Sequence, residues 1–188
     1  MKKVILFLAL LFTLSVVIGL GGCGGSTTPP LYIVGVEGPA GGVIFYDKGS
    51  FTDGWQYLEA APSDQSTGAE WGCFQIPISG ADGTAVGTGK QNTIDIEAGC
   101  TTAGTAADIC ANLSLGGYDD WFLPSKDELN LMYENLKVSG LGGGFTDALY
   151  WSSSEYSSVT AWSQYFGVFY QWDYPKYSSY RVRAIRAF

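Results

Sequence analysis

With no histidine anywhere in 188 residues, the side chains left for chemistry are carboxylates, lysines, tyrosines and cysteines. This excludes Ser-His-Asp and Cys-His catalysis and every His-ligated metal site. Asp127 and Glu128 are adjacent acids, but glycoside hydrolysis needs two acids held apart across a sugar. Here the first turn of a helix and its dipole account for both. Asp82, Asp95 and Asp147 are scattered, without the spacing of a calcium loop. Neither an enzyme, a metal nor a cofactor is expected. The residues that do cluster are aromatic. Six of the 12 tyrosines fall between Tyr156 and Tyr180, together with Trp162 and Trp172. Tyrosine and tryptophan give large, rigid contact area at low entropic cost, while serine, glycine and aspartate add adaptable hydrogen bonds. That is the chemistry of binding.

Export accounts for the beginning of the chain. Lys2 and Lys3 precede the apolar run Val4 to Leu20, as in a secretory signal, and the run is too short and N-terminal to be preferred as a membrane span. Leu20-Gly21-Gly22-Cys23 matches the bacterial lipobox, so residues 1–22 read as a lipoprotein signal peptide and Cys23 as the acylated residue. Each buried methylene contributes about 0.8 kcal/mol, and several acyl chains on one residue anchor stably. Gly24, where an Asp would favour retention, points to the outer membrane and cell surface. Residues 23–40 are the lipidated cysteine and a flexible tether. The net charge of −8 supplies no basic stripe, so no nucleic-acid partner is expected.

Beyond Cys23, three cysteines remain: Cys73, Cys100 and Cys110. An exported chain sits where disulfides persist, so one bridge and one leftover thiol are expected. The sequence does not choose among the three pairs; the lean is to Cys100–Cys110, closing a short loop before a helix. A zinc site is not expected, without CxxC spacing or histidine.

The elements that must position these residues follow from periodicity. Gly42 to Asp47 and Gly54 to Glu59 read as strands of a hairpin, with Lys48 to Asp53 as its loop. Pro62 to Gly89 lacks period and reads mostly as loop, anchored by Trp71. Ala106, Ile109, Cys110 and Leu113 fall at helical spacing. Ser125 and Glu128 form a capping box before Leu129, Met132, Tyr133 and Leu136, predicting a helix from about Lys126 to Lys137. Tyr150 to Ser154 reads as a strand leading into a polar turn. Alternation is poor from Tyr156 to Tyr180, and Pro175 interrupts any strand there. Arg181 to Phe188 reads as one final strand with Val182 and Ile185 in the core. Arg181, Arg183 and Arg186 are expected to pair with Asp119, Asp120 or Glu155.

Several motifs then assemble in order: Gly42-Val43-Ile44-Phe45-Tyr46, Gly54-Trp55-Gln56-Tyr57-Leu58-Glu59-Ala60-Ala61-Pro62, Gly87-Thr88-Gly89-Lys90-Gln91-Asn92-Thr93, Asp120-Trp121-Phe122-Leu123-Pro124-Ser125, Tyr150-Trp151-Ser152-Ser153-Ser154-Glu155 and Arg181-Val182-Arg183-Ala184-Ile185-Arg186. Together they resemble the Lcl C-terminal domain family over about residues 41–188. The resemblance implies an α+β, C-type lectin-like fold: small antiparallel sheets, two helices and long loops. The Glu-Pro-Asn, Gln-Pro-Asp and Trp-Asn-Asp strings of calcium-dependent lectins are absent, so sugar binding through calcium is not the expected mechanism.

A narrower resemblance covers residues 156–180. It is similar to the variable proteins of diversity-generating retroelements, in which template adenines, chiefly in Asn codons, are rewritten. The resemblance implies a variable ligand-binding set made of Val159, Thr160, Ser163, Tyr165, Gly167, Val168, Phe169, Tyr170, Asp173, Tyr174, Pro175, Tyr177, Ser178, Ser179 and Tyr180. Trp172 joins the binding face but does not fit an Asn codon. Ala161, Trp162, Gln164, Phe166, Gln171 and Lys176 would be scaffold, with Trp162 and Phe166 in the core. The implied function is a surface lipoprotein with a diversified face for an unknown protein ligand, or a glycan, on another cell, phage or host surface. The alternative is an adhesin of fixed specificity with the same fold.

Overall fold

The structure is a computed structural model that describes residues 31–188. The signal peptide, Cys23 and the tether as far as Pro30 lie outside the described residues. The first hairpin pairs β1 (Val43–Thr52) with β2 (Trp55–Ala60). The strand runs through the stretch expected to be loop and turns only at Asp53-Gly54. Both turn residues have positive φ, 52° and 84°, the backbone twist that suits a two-residue hairpin. The third strand of this sheet, β8 (Ile185–Ala187), pairs with β2 at the far end of the sequence. Tyr32, Tyr57 and Phe188 meet edge to face or tilted at 5.1–5.6 Å between centroids, so the start and end of the domain share one aromatic contact.

A second sheet has five strands in the order β3 (Ser66–Ala69), β7 (Tyr180–Val182), β4 (Leu149–Glu155), β5 (Thr160–Tyr165) and β6 (Tyr170–Pro175). The expected single final strand is therefore two. Arg183 and Ala184 carry the chain from one sheet to the other, and both Val182 and Ile185 are fully buried. Pro175 does not prevent β6: it is the strand's last residue, where a missing N–H costs least.

Three helices pack on the sheets, one more than expected. Helix α1 (Gly89–Gly99) has no apolar stripe. Polar bonds hold it: Asn92 Nδ2 donates to Gly83 O at 2.6 Å and to Ser153 Oγ at 3.2 Å, and Thr93 Oγ1 accepts from Leu123 N at 3.0 Å. Helix α2 (Ala106–Ala111) is capped by Thr105, whose hydroxyl accepts from Asp108 N. Helix α3 (Lys126–Met132) opens with the expected capping box, Glu128 N donating to Ser125 Oγ and Ser125 N to Glu128 Oε2. It continues as a π-helical turn, Tyr133–Val138. Gly89 must be glycine here, since a Cβ would lie 2.2 Å from Glu128 Oε2.

Two apolar clusters result. One joins Trp71, Ile96, Cys110, Trp121, Trp151 and Val182; the other joins Phe45, Leu58, Phe122, Leu129, Tyr150 and Phe166. Trp71 is fully buried and donates its Nε1–H to Ser152 O at 2.9 Å, anchoring the long loop as its size predicts. This is an α+β, C-type lectin-like arrangement.

Candidate functional site

The site begins with the hairpin β5–β6. Its register runs unbroken from Thr160↔Pro175 to Tyr165↔Tyr170. Directly paired residues share a sheet face, and alternate residues share it along a strand. Ala161, Ser163, Tyr165, Tyr170, Trp172 and Tyr174 therefore share one face. Trp162, Gln164, Gln171 and Asp173 point to the other, where α3 packs. On β6 the alternation is thus aromatic (Tyr170, Trp172, Tyr174) against polar (Gln171, Asp173), a pattern β5 does not share.

On the outer face Tyr170 and Trp172 are 44% and 54% exposed, and their rings are nearly parallel, 5° apart with centroids at 6.0 Å. Tyr174 meets Tyr180 edge-on at 5.3 Å, and Tyr180 lies on buried Trp151 at 4.7 Å. Burial pushes the Tyr180 hydroxyl up from its ordinary range, against a hydrogen bond from Ser178. Tyr165 is half-buried, and Gly167 lies so close to its ring that a Cβ would come within 2.5 Å. Val168 and Phe169 stand exposed in the β5–β6 turn, and Val159 is exposed just before β5. Tyr177 and Ser179 are exposed in the β6–β7 connection, with Ser178 partly so. Thr160, Asp173 and Pro175 are partly exposed at the margin. Ser163 differs: it is buried in the register between Trp151 and Trp172.

Most positions assigned to scaffold are buried, Ala161 on the aromatic side of the sheet and Gln164 on the other. Ala161, Gln164, Phe166 and Lys176 are fully buried. Gln164 donates to Asn130 Oδ1 at 3.1 Å, and Gln171 donates to Lys126 O at 2.9 Å and to Gln164 Oε1 at 3.0 Å. Lys176 Nζ donates to Ile76 O at 2.8 Å, pairs with Glu155 and sits 4.5 Å above the Trp71 ring. Trp162 is not core as expected. It is only partly buried, with Lys126 Nζ 4.0 Å over its ring and Tyr156 edge-on at 5.4 Å. Its face of β5 meets the polar start of α3, so a cation covers it where an apolar side chain would be needed for burial.

The expected cysteine pairing is corrected. Cys73 and Cys100 are bonded, with Cα atoms 5.7 Å apart, and Cys110 is the free, buried thiol. Cys110 lies on the inward face of α2, where the spacing that predicts a helix also points it into the core. Burial pushes its thiol far up. The bridge ties the long loop at Cys73 beside Phe74, whose ring meets Tyr177 edge-on at 4.9 Å. Phe74 thus joins the face from a loop whose sequence has no period, and no signal there announces it.

The arginines are also repartnered. Arg186 does bond Asp120, through two nitrogens at 2.8 and 3.1 Å. Arg181 and Arg183 instead share Asp64, at 2.8 and 2.6 Å. Glu155 is taken by Lys176, and Asp147 by Lys137 at 2.7 Å. Among the described residues no group of three potential ligands is placed to hold a metal.

Concave space lies mostly elsewhere. A cleft of about 340 Å³ is lined by Trp55, Lys90, Phe122 and Glu128. Both Glu128 oxygens there are already engaged, by Gly87 N at 2.8 Å and Ser125 N at 2.7 Å. A shallower hollow of about 440 Å³ reaches the face at Ser179, but the candidate site is chiefly an exposed aromatic face, which suits a macromolecular surface more than a small substrate. Among known families, the model described as the Lcl C-terminal domain matches residues 61–186. No curated protein matches the chain.

Proposed function

The chain belongs to the Lcl C-terminal domain family, whose match covers two thirds of its length, and on that premise we propose a lipid-anchored surface protein whose β5–β6 face binds a macromolecular ligand and is diversified by a retroelement. Family membership points to a ligand-binding, adhesin-like domain. The finer reading rests on one observation above the others. Along residues 159–180, every position assigned to variation except Ser163 is exposed or partly exposed, while four of the six assigned to scaffold are fully buried. The exposed side chains among the former can be replaced without opening the core, since surface substitutions usually cost within about 0.5 kcal/mol, whereas Tyr174 and Tyr180 also pack on it. The segment also contains no Asn, which agrees with a copy whose template adenines have been rewritten. Absence of a catalytic constellation in the sequence supports binding without turnover.

The test is to sequence this locus and its flanks in many cells of one population. Substitutions confined to codons 159–180, each matching an adenine in a neighbouring near-copy, are expected. An invariant segment with no near-copy overturns diversification and leaves an adhesin of fixed specificity. The near-parallel Tyr170 and Trp172 rings favour a glycan for that second reading, because flat exposed aromatics stack on sugar rings. A glycan array probed with the wild type and with Trp172→Ala decides between the ligands.

A further inference from the structure

Each sheet edge among the described residues is protected except one. The outer side of β1 is bonded to the segment before it, Gly35 N to Ile44 O at 2.8 Å and Ile44 N to Val36 O at 3.0 Å. The outer side of β8 exchanges two bonds with Phe122. Strand β3 is four residues long, contains Gly68 and pairs with a register shift. These are the usual devices that keep an edge from recruiting another strand. Strand β6 has none of them: no bulge, no lysine within it, no covering segment, and proline only at its end.

The direction of its backbone groups can be worked out. Lys176 N donates to Val159 O at 3.0 Å, and Phe166 N donates to Ala148 O at 2.9 Å. In an antiparallel ladder, bonded pairs alternate. Tyr170, Trp172 and Tyr174 therefore bond β5, and Gln171 and Asp173 turn their N–H and C=O groups outward. No other residue among those described bonds these two N–H and two C=O groups.

We propose that the ligand of this face is taken up as an extended polypeptide strand added to β6. The proposal rests on the binding face described above and names its ligand class. Strand addition draws affinity from main-chain bonds and specificity from alternate side chains. Apolar residues of the incoming strand would lie beside Tyr170 and Trp172. Asp173 carries the one charge on β6, so a lysine or arginine of the partner belongs opposite it. A second copy of this chain is the poorer occupant, since it brings the same aspartate and another −8 of net charge. The arrangement also suits a face whose side chains are rewritten: backbone bonds survive every substitution except proline.

The experiment selects binders from a displayed library of random linear peptides against the intact domain. Asp173→Pro removes an outward N–H and leaves the bonds to β5, which use the alternate residues. It is expected to weaken the selected peptides by about tenfold, the upper range for one hydrogen bond, while Asp173→Asn, which keeps the N–H, weakens them less. N-methylation of alternate peptide amides is expected to abolish binding, a readout that needs no variant protein. A library that yields no binder, or binders indifferent to both N-methylation and Asp173→Pro, overturns strand addition. Trp172→Ala separates the two readings. If it abolishes binding while the edge changes do nothing, the face stands and strand addition falls. If it too is silent, the face itself falls.

Discussion

Lys176 is a fully buried cation, and its value lies in what it holds. Its ammonium closes the β6–β7 connection onto Ile76 O and Glu155, and Glu155 in turn accepts from Ile78 N at 3.0 Å. Removing one partner of a buried pair strands the other, at a cost of about 3 kcal/mol. Lys176→Met is therefore expected to lower the midpoint of thermal unfolding well beyond Tyr177→Ala, whose side chain is exposed; equal effects would show the pair to be idle. Glu128 makes the second residue-scale prediction. Burial pushes its carboxyl up from 4.5 to about 7, against the pull of the Ser125 and Gly87 amides. Between those values the folded chain binds more protons than the unfolded one, so this group's contribution is full below the lower value. It is lost as pH rises through the higher one, by about 3 kcal/mol. Urea unfolding at about pH 5 and about pH 8 should show that decline in the wild type and lose it in Glu128→Gln. Parallel curves for the two would sink the assignment.

At the scale of elements, the Cys73–Cys100 bridge closes a separation of 27 residues that contains the later part of the long loop and all of α1. Replacing both cysteines with serine is expected to cost about 3 kcal/mol. In the untreated native domain Cys110 should resist alkylation until denaturant is added, whereas a Cys100–Cys110 pairing would leave Cys73 as the labelled residue. The elements also differ in how far they could be read in advance. Helix α3 was legible because capping box and apolar spacing agree, and Val182 and Ile185 were legible as core as the β-branched residues set among arginines. Helix α1 was not, because side-chain hydrogen bonds from Asn92 and Thr93 hold it and leave no apolar stripe to see. The bridge was not legible either: proximity of Cys73 to Cys100 is made by α1 folding back, while Cys100 and Cys110 are near only in sequence. Strand β6 escaped notice because its outward face is aromatic and its other face polar, and β5 because Ala161 and Ser163 are its buried residues on one side while Trp162 is left half-buried on the other. The stretch that lacks apolar alternation is thus the one that holds the proposed face.

At the scale of the whole molecule, the chain enters the domain beside its own last residue, through Tyr32, Tyr57 and Phe188 on the three-stranded sheet. The aromatic face is on the other sheet. Cys23→Ser is expected to move the protein from the membrane fraction to the soluble one without altering its thermal midpoint. A protein that stays with membranes would remove the lipid from the account. The bridge beside Phe74 has a further bearing, on timing. Cysteine pairs of this kind close after a chain leaves the reducing cytosol. A copy stranded inside the cell would keep its strands and its tyrosines, yet hold the Phe74–Tyr177 corner without its fastening. On the proposed export route, maturation of the recognition surface would be coupled to delivery, and misdelivered copies would make poor competitors for the ligand.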